Sequence, residues 1–220
     1  MRPGVASCRP MQDLLPIIGI FAVFSPALML PGPDFVAVVR NTMAHGRQSG
    51  VLTALGISIG IVFYAGLSVA GLATLLNQLD WFADVIRIIG SMFLAYLGVN
   101  LLFTQRAPRP LESAASVPTS NARNPVFLGL LVNLTNPKAI VFFASIFSTA
   151  IRPSMSPLLL TGVVLAIGLC GFFWFSLISV ATATTGFLVS LEDHQHWIER
   201  LAGVAFLGFS AKLIIDLFSR

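Results

Sequence analysis

Apolar residues fill this chain in six long stretches, each near or above the roughly 20 residues a helix needs to cross a bilayer. They run Leu14–Val39, Val51–Leu76, Phe82–Phe103, Val126–Ala150, Leu158–Val189 and Trp197–Phe218. The connections between them are short, with one exception. Residues 104–124 hold Arg106, Pro108, Arg109, Pro110, Glu112, Pro118 and Arg123 among several serines. This polar linker falls midway and separates two groups of three stretches. The pattern predicts an all-α integral membrane protein with six transmembrane helices. It forms a single transmembrane domain over residues 1–220, with one half at 11–103 and the other at 125–220. The fifth stretch is longer than a bilayer needs, so it tilts or begins outside the lipid.

Two stretches are interrupted where a plain membrane helix carries neither proline nor charge. The first contains Pro31-Gly32-Pro33-Asp34 and the fourth contains Asn136-Pro137-Lys138. Broken backbone and charge at membrane depth are tolerated where they are buried in protein or line a wet cavity. One such break in each half points to a transport site. Pro33 suits the first position of a new helix, where its missing N–H costs nothing, and Gly32 permits the turn before it. The amides of Asp34 and Phe35 then form a half-helix N-terminus, which attracts an anion such as an amino-acid carboxylate. Asn136 is a good N-cap for a helix starting at Pro137. Lys138 lies too deep in its stretch to snorkel easily, so it faces an interior partner or cavity. Asn133 and Thr135 add polar groups one turn earlier. The structural alternatives are a proline kink with Asp34 near a lipid headgroup, and a Lys138 that is only a packed cation.

The halves resemble each other. Arg87-Ile-Ile-Gly90-Ser-Met-Phe93-Leu94 matches Arg200-Leu-Ala-Gly203-Val-Ala-Phe206-Leu207 at an offset of 113, and Pro33-Asp34 matches Pro137-Lys138 at an offset of 104. Three spans per half force the halves into opposite orientations, an inverted-topology repeat. Matched positions then face each other across a pseudo-two-fold axis. Asp34 and Lys138 are expected to meet there as an opposite-charge pair that a zwitterionic solute or a proton on Asp34 separates.

Composition agrees with a membrane protein: 56% of the 220 residues are hydrophobic and 10% charged, against about 25% charged in soluble domains. The net charge of +4 does not point to nucleic acid, because no basic run is interleaved with aromatics. Arginines instead set orientation. Arg2, Arg9, Arg87, Arg152 and Arg220 fall on one side, and Arg40, Arg47, Arg106, Arg109, Arg123 and Arg200 on the other. A start at Met11 removes Arg2 and Arg9 and makes the linker face cytoplasmic, with both termini outside. Leu14–Leu30 is longer than the h-region of a signal peptide and lacks a small-residue cleavage site, so it reads as a membrane helix.

The remaining residues add less. Cys8 and Cys170 have no framework spacing, and His45, His194 and His196 do not form a metal-ligand pattern. Gly56-Ile-Ser-Ile-Gly60 reads as close helix packing, and Gly46-Arg47-Gln48-Ser49-Gly50 as a tight turn before it. Tyr64, Tyr96 and Trp174 are either cavity lining or packing. Lys212 and Asp216 form an i,i+4 pair near the end of the last stretch. No enzyme motif and no P-loop appear, so the chain is not expected to be an enzyme, no cofactor is implied, and an ion gradient supplies the energy.

The runs Leu30-Pro-Gly-Pro-Asp-Phe-Val, His45-Gly-Arg-Gln-Ser-Gly50 with Val-Leu-Thr-Ala-Leu-Gly56-Ile-Ser-Ile-Gly60, Ile88 to Gly98, and Phe127-Leu-Gly-Leu-Leu-Val-Asn-Leu-Thr-Asn136-Pro-Lys-Ala together resemble the lysine-exporter (LysE/RhtB) family of amino-acid efflux proteins. The resemblance spans nearly the whole chain. It implies a multi-pass inner-membrane exporter of amino acids or close derivatives, driven by protons and able to dimerise. The family's signature residues fall on Pro31, Gly32, Pro33, Asp34, Asn136, Pro137 and Lys138, the expected substrate-binding or coupling residues. After the fourth stretch the family's Pro-Gln-Phe-like run is replaced by Phe147-Ser-Thr-Ala. The expected partners are an amino acid or small zwitterionic metabolite, protons and membrane lipid. The alternatives are a transporter of another small solute or metal ion, a channel, or a scaffold without transport.

Overall fold

The computed structural model describes residues 9–76, 80–103, 124–150, 155–182 and 187–218. All regular structure among them is helical: α1 (Arg9–Met29), α2 (Pro33–His45), α3 (Arg47–Leu76), α4 (Asp80–Phe103), α5 (Pro125–Leu134), α6 (Pro137–Ala150), α7 (Pro157–Thr182) and α8 (Phe187–Phe218). Among the described residues the six apolar stretches appear as eight helices, two of the stretches being divided at their proline breaks. The reason is local. At each break a proline takes the first position of the next helix, where its missing N–H costs nothing, whereas Pro16 and Pro26 lie inside α1 without ending it. α1 and α2 diverge by 47° across the first break.

Among the described residues, α7 and the Arg47–Gly71 part of α3 are long and apolar enough to cross a bilayer, as is the bent α1–α2 pair if counted as one span. Several boundaries differ from expectation; α7 ends at Thr182 rather than Val189, which falls in α8. α8 begins at Phe187 rather than Trp197, since no proline or glycine interrupts Phe187–Ala202. Its 32 residues reach about 48 Å at 1.5 Å per residue, beyond the hydrocarbon thickness. The run His45–Gly50 holds one turn residue, Gly46 at φ +84°, and α3 starts directly after it. Thr104–Arg123 of the linker, Cys8 and the side chain of Asp216 lie outside the described residues.

The core is helix against helix. Ile57 and Ile61 of α3, Ile167 and Ile178 of α7, Val38 of α2, Leu94 of α4 and Phe206 of α8 are buried together. α3 stands centrally, packed on α2, α5, α6 and α7. At the α3–α5 crossing a Cβ on Gly56 would strike the backbone of Val126 and Leu130, and one on Gly129 would strike that of Thr53. The small-residue spacing therefore serves close packing, as its sequence indicates. α4 and α8 run antiparallel. Ser210 Oγ donates to Ser91 C=O at 2.8 Å, while Gly98 lies on Leu207 and Gly203 on Leu102. Each helix thus offers the same Gly-x-x-x-Leu, with each glycine seated on the other's leucine. This register relates the two helices by an offset of 105 (98 to 203), close to the 104 between the breaks and unlike the 113 of the sequence match.

Candidate functional site

The site forms where the two breaks meet. A carbonyl in the last turn of a helix has no intrahelical donor unless the chain continues. Ala27 C=O would accept from residue 31, which is Pro31 and has no N–H. Lys138 Nζ donates to it instead, at 3.3 Å. The second break repeats the problem. Leu134 C=O would accept from Lys138 N–H, but that amide donates to Asn136 Oδ1 at 3.1 Å, the N-cap of α6. Tyr64 Oη, from α3, donates to Leu134 C=O at 2.6 Å. Both orphaned carbonyls are therefore satisfied by side chains from other helices.

Asp34 is the second residue of α2, just inside the break. Its Oδ2 accepts from Asn133 Nδ2 at 3.0 Å and from Asn136 Nδ2 at 3.2 Å, while its Oδ1 is buried without a hydrogen-bond partner. Asn136 thus works in both directions, capping α6 with its oxygen and holding Asp34 with its nitrogen. Asn133 is 1% exposed and lies against Gly60 of α3, where a Cβ would collide with its side chain.

These groups surround a cavity of about 60 Å³, several times the roughly 10–15 Å³ that one buried water takes on that measure. Asp34, Asn133, Asn136 and Lys138 supply its polar wall, with Phe142 and Phe143 on the apolar side. Phe24 of α1 meets these two rings at 6.3 and 6.0 Å, and Phe142 meets Phe206 at 6.0 Å.

Gly32, Asp34, Asn136 and Lys138, four of the seven expected residues, line this cavity. Pro31 withholds the amide from Ala27, while Pro33 and Pro137 open α2 and α6. Asp34 and Lys138 share the cavity but do not pair as expected. Lys138 is held by the carbonyl that Pro31 leaves free, and Asp34 by two asparagine amides. Thr135 is exposed and bonds back to its own helix. Tyr96 is 64% exposed, away from the cavity. Trp174 is half-buried with Nε1 unpartnered, and its neighbour Phe175 reaches the cavity. Sequence reasoning undervalued Asn133, Tyr64 and the Phe142–Phe143 pair. The signal for Tyr64 was an orphaned carbonyl, which becomes visible once the break is placed.

The matching family model, described as LysE type translocator, covers residues 26–217. This chain belongs to the LysE family of translocators. The match begins one residue before the carbonyl that Lys138 holds and includes both breaks and the polar wall of the cavity. Among curated relatives, the threonine efflux protein of Salmonella typhi is 31% identical over 86% of this chain and 93% of its own length. The threonine efflux protein of Escherichia coli K12 is 28% identical over 92% and 99%. The leucine efflux protein of Klebsiella pneumoniae is 30% identical over 84% and 88%. No solved structure matches. LysE family members are membrane transporters.

Proposed function

We propose that this chain exports an amino acid or a close derivative across the inner membrane in exchange for protons. One observation carries the reading: two broken helices bring a carboxylate and an ammonium, not paired with each other, to one cavity walled by aromatic rings. Opposite charges held apart at low dielectric favour a solute that carries both. Threonine and leucine, named in the relatives, differ in side chain and share an α-ammonium and a carboxylate. In this reading Asp34 receives the ammonium, Lys138 the carboxylate, and the phenylalanines an apolar side chain. Asp34 is the carboxylate on the cavity wall, so a proton and the ammonium compete for it. Protonation from the outer side releases the solute, and deprotonation inside restores the site.

The same reading takes α1–α2, α3, α4, α5–α6, α7 and α8 as six spans in two inverted halves. The antiparallel Gly-x-x-x-Leu pairing of α4 and α8 supports that arrangement. To test the function, cells expressing the chain are loaded with dipeptides, and the amino acids that leave faster than from control cells are measured. Asp34→Asn and Lys138→Met are expected to remove the excess while the protein still inserts. If no amino acid or derivative leaves faster with the wild-type chain, the reading fails.

A further inference from the structure

We infer that Asn133 is a positioning residue for substrate recognition: seated on Gly60, it fixes Asp34 so that one carboxylate oxygen is committed to protein and the other faces the ammonium of the solute. The inference rests on the export reading and adds a residue and a division of labour to it. A carboxylate has two oxygens and about four acceptor sites. Here both protein donors fall on Oδ2, from Asn133 and Asn136. Oδ1 is buried and has no protein partner. A buried charged acceptor without a donor is costly, so this asymmetry marks the oxygen a bound donor would use.

The two asparagines are not equivalent. Asn136 caps α6 through Oδ1, so its substitution disturbs the helix as well as Asp34. Asn133 lies inside α5 and is buried to 1% exposure. Its Nδ2 donates to Asp34, and its Oδ1 is without a hydrogen-bond partner. Its side chain fits because residue 60 has no Cβ. This places an amide from α5 and a glycine from α3 behind the orientation of a carboxylate on α2. Without the amide, the carboxylate turns about its own bond and presents either oxygen. It then no longer distinguishes a primary ammonium from a bulkier substituted one.

The test uses the full-length chain reconstituted in liposomes and measures counterflow of a transported amino acid and of its N-methyl derivative. For wild type, the KM for the N-methyl compound is expected to be the higher of the two. Asn133→Leu keeps a similar shape without the donor or a new charge, and Asn133→Ala removes the amide. Each is expected to raise the KM for the amino acid about tenfold, the loss of one charge-assisted hydrogen bond, and to bring the two KM values together. Gly60→Ala moves Asn133 without deleting it and is expected to do the same to a smaller degree. A merely structural role lowers the amount of folded protein and the maximal rate for both compounds, leaving the KM ratio intact. That result, with wild-type transport present, overturns the inference. Absence of amino-acid counterflow by wild type overturns the export reading itself.

Discussion

Tyr64→Phe removes one hydroxyl and leaves the rest of the side chain in place. The ring stays stacked on Phe143, with centroids 6.5 Å apart and planes at 17°. What disappears is the 2.6 Å hydrogen bond to Leu134 C=O. That carbonyl sits at the second break, and its helical donor, the Lys138 amide, is committed to the Asn136 cap. Orphaning a buried acceptor costs roughly 1–3 kcal/mol in soluble proteins. Hydrogen bonds between membrane helices average about 0.6 kcal/mol, with a maximum near 1.7. Leu134 C=O is half-buried at a helix end, so a cost of about 1 kcal/mol is expected, a factor of about 5 in the folding equilibrium. The assay is reversible unfolding of purified protein in mixed micelles with a rising fraction of denaturing detergent. Tyr96→Phe, which deletes the same atom from an exposed ring, is the control and should fall within about 0.5 kcal/mol of wild type. If Tyr64→Phe and Tyr96→Phe are indistinguishable, side-chain capping of the broken helix is not what holds the second break.

Asp34→Asn and Lys138→Met are each expected to bring amino-acid export to background in dipeptide-loaded cells, with membrane insertion unchanged by fractionation. Gly56→Ala drives a methyl into the backbone of α5 and is expected to destabilise by at least about 1–3 kcal/mol. Gly66→Ala meets nothing within 4 Å and should be neutral or stabilising by up to about 1 kcal/mol; thermal unfolding in detergent compares the two. Asn136→Asp keeps an acceptor for the α6 amide but loses the donor to Asp34 and sets a second carboxylate beside it. It is expected to abolish export and to cost about 1–3 kcal/mol of stability, read by the same unfolding assay.

The breaks were legible because they violate the rules of a membrane helix locally, in three or four consecutive residues. Asp34, Asn136 and Lys138 therefore stood out before any geometry was known. The start of α2 at Pro33 follows from the same run, since Pro33 suits the first helical position. What was not legible depends on distance along the chain. Asn133 reaches Asp34 across 99 positions, and Lys138 reaches Ala27 across 111. No local rule assigns Lys138 to a backbone carbonyl rather than to the opposite charge; that choice follows once Pro31 and Ala27 are known to sit under α6. A likeness between the halves was visible in the sequence, but the offset at which α4 meets α8 was not. Low-complexity apolar sequence offers many glycine matches, and the contacts between Gly98, Leu102, Gly203 and Leu207 select a different one. The early start of α8 was missed because the polarity of Glu192–His196 resembles a loop, although nothing there breaks a helix.

The bond from Lys138 to Ala27 also sets an order of events during synthesis. Ala27 emerges and enters the bilayer long before Lys138 is translated. At roughly 5–20 residues per second, the 111 positions between them take about 5–20 s. Through that interval the donor that Ala27 C=O has in the folded chain, Lys138 Nζ, does not yet exist. The nascent first half is thus left with a polar defect in lipid, or sheltered by the insertion machinery, until α6 arrives. Expressed alone, the first half should remain a client of that machinery, and co-expression of the second half should release it.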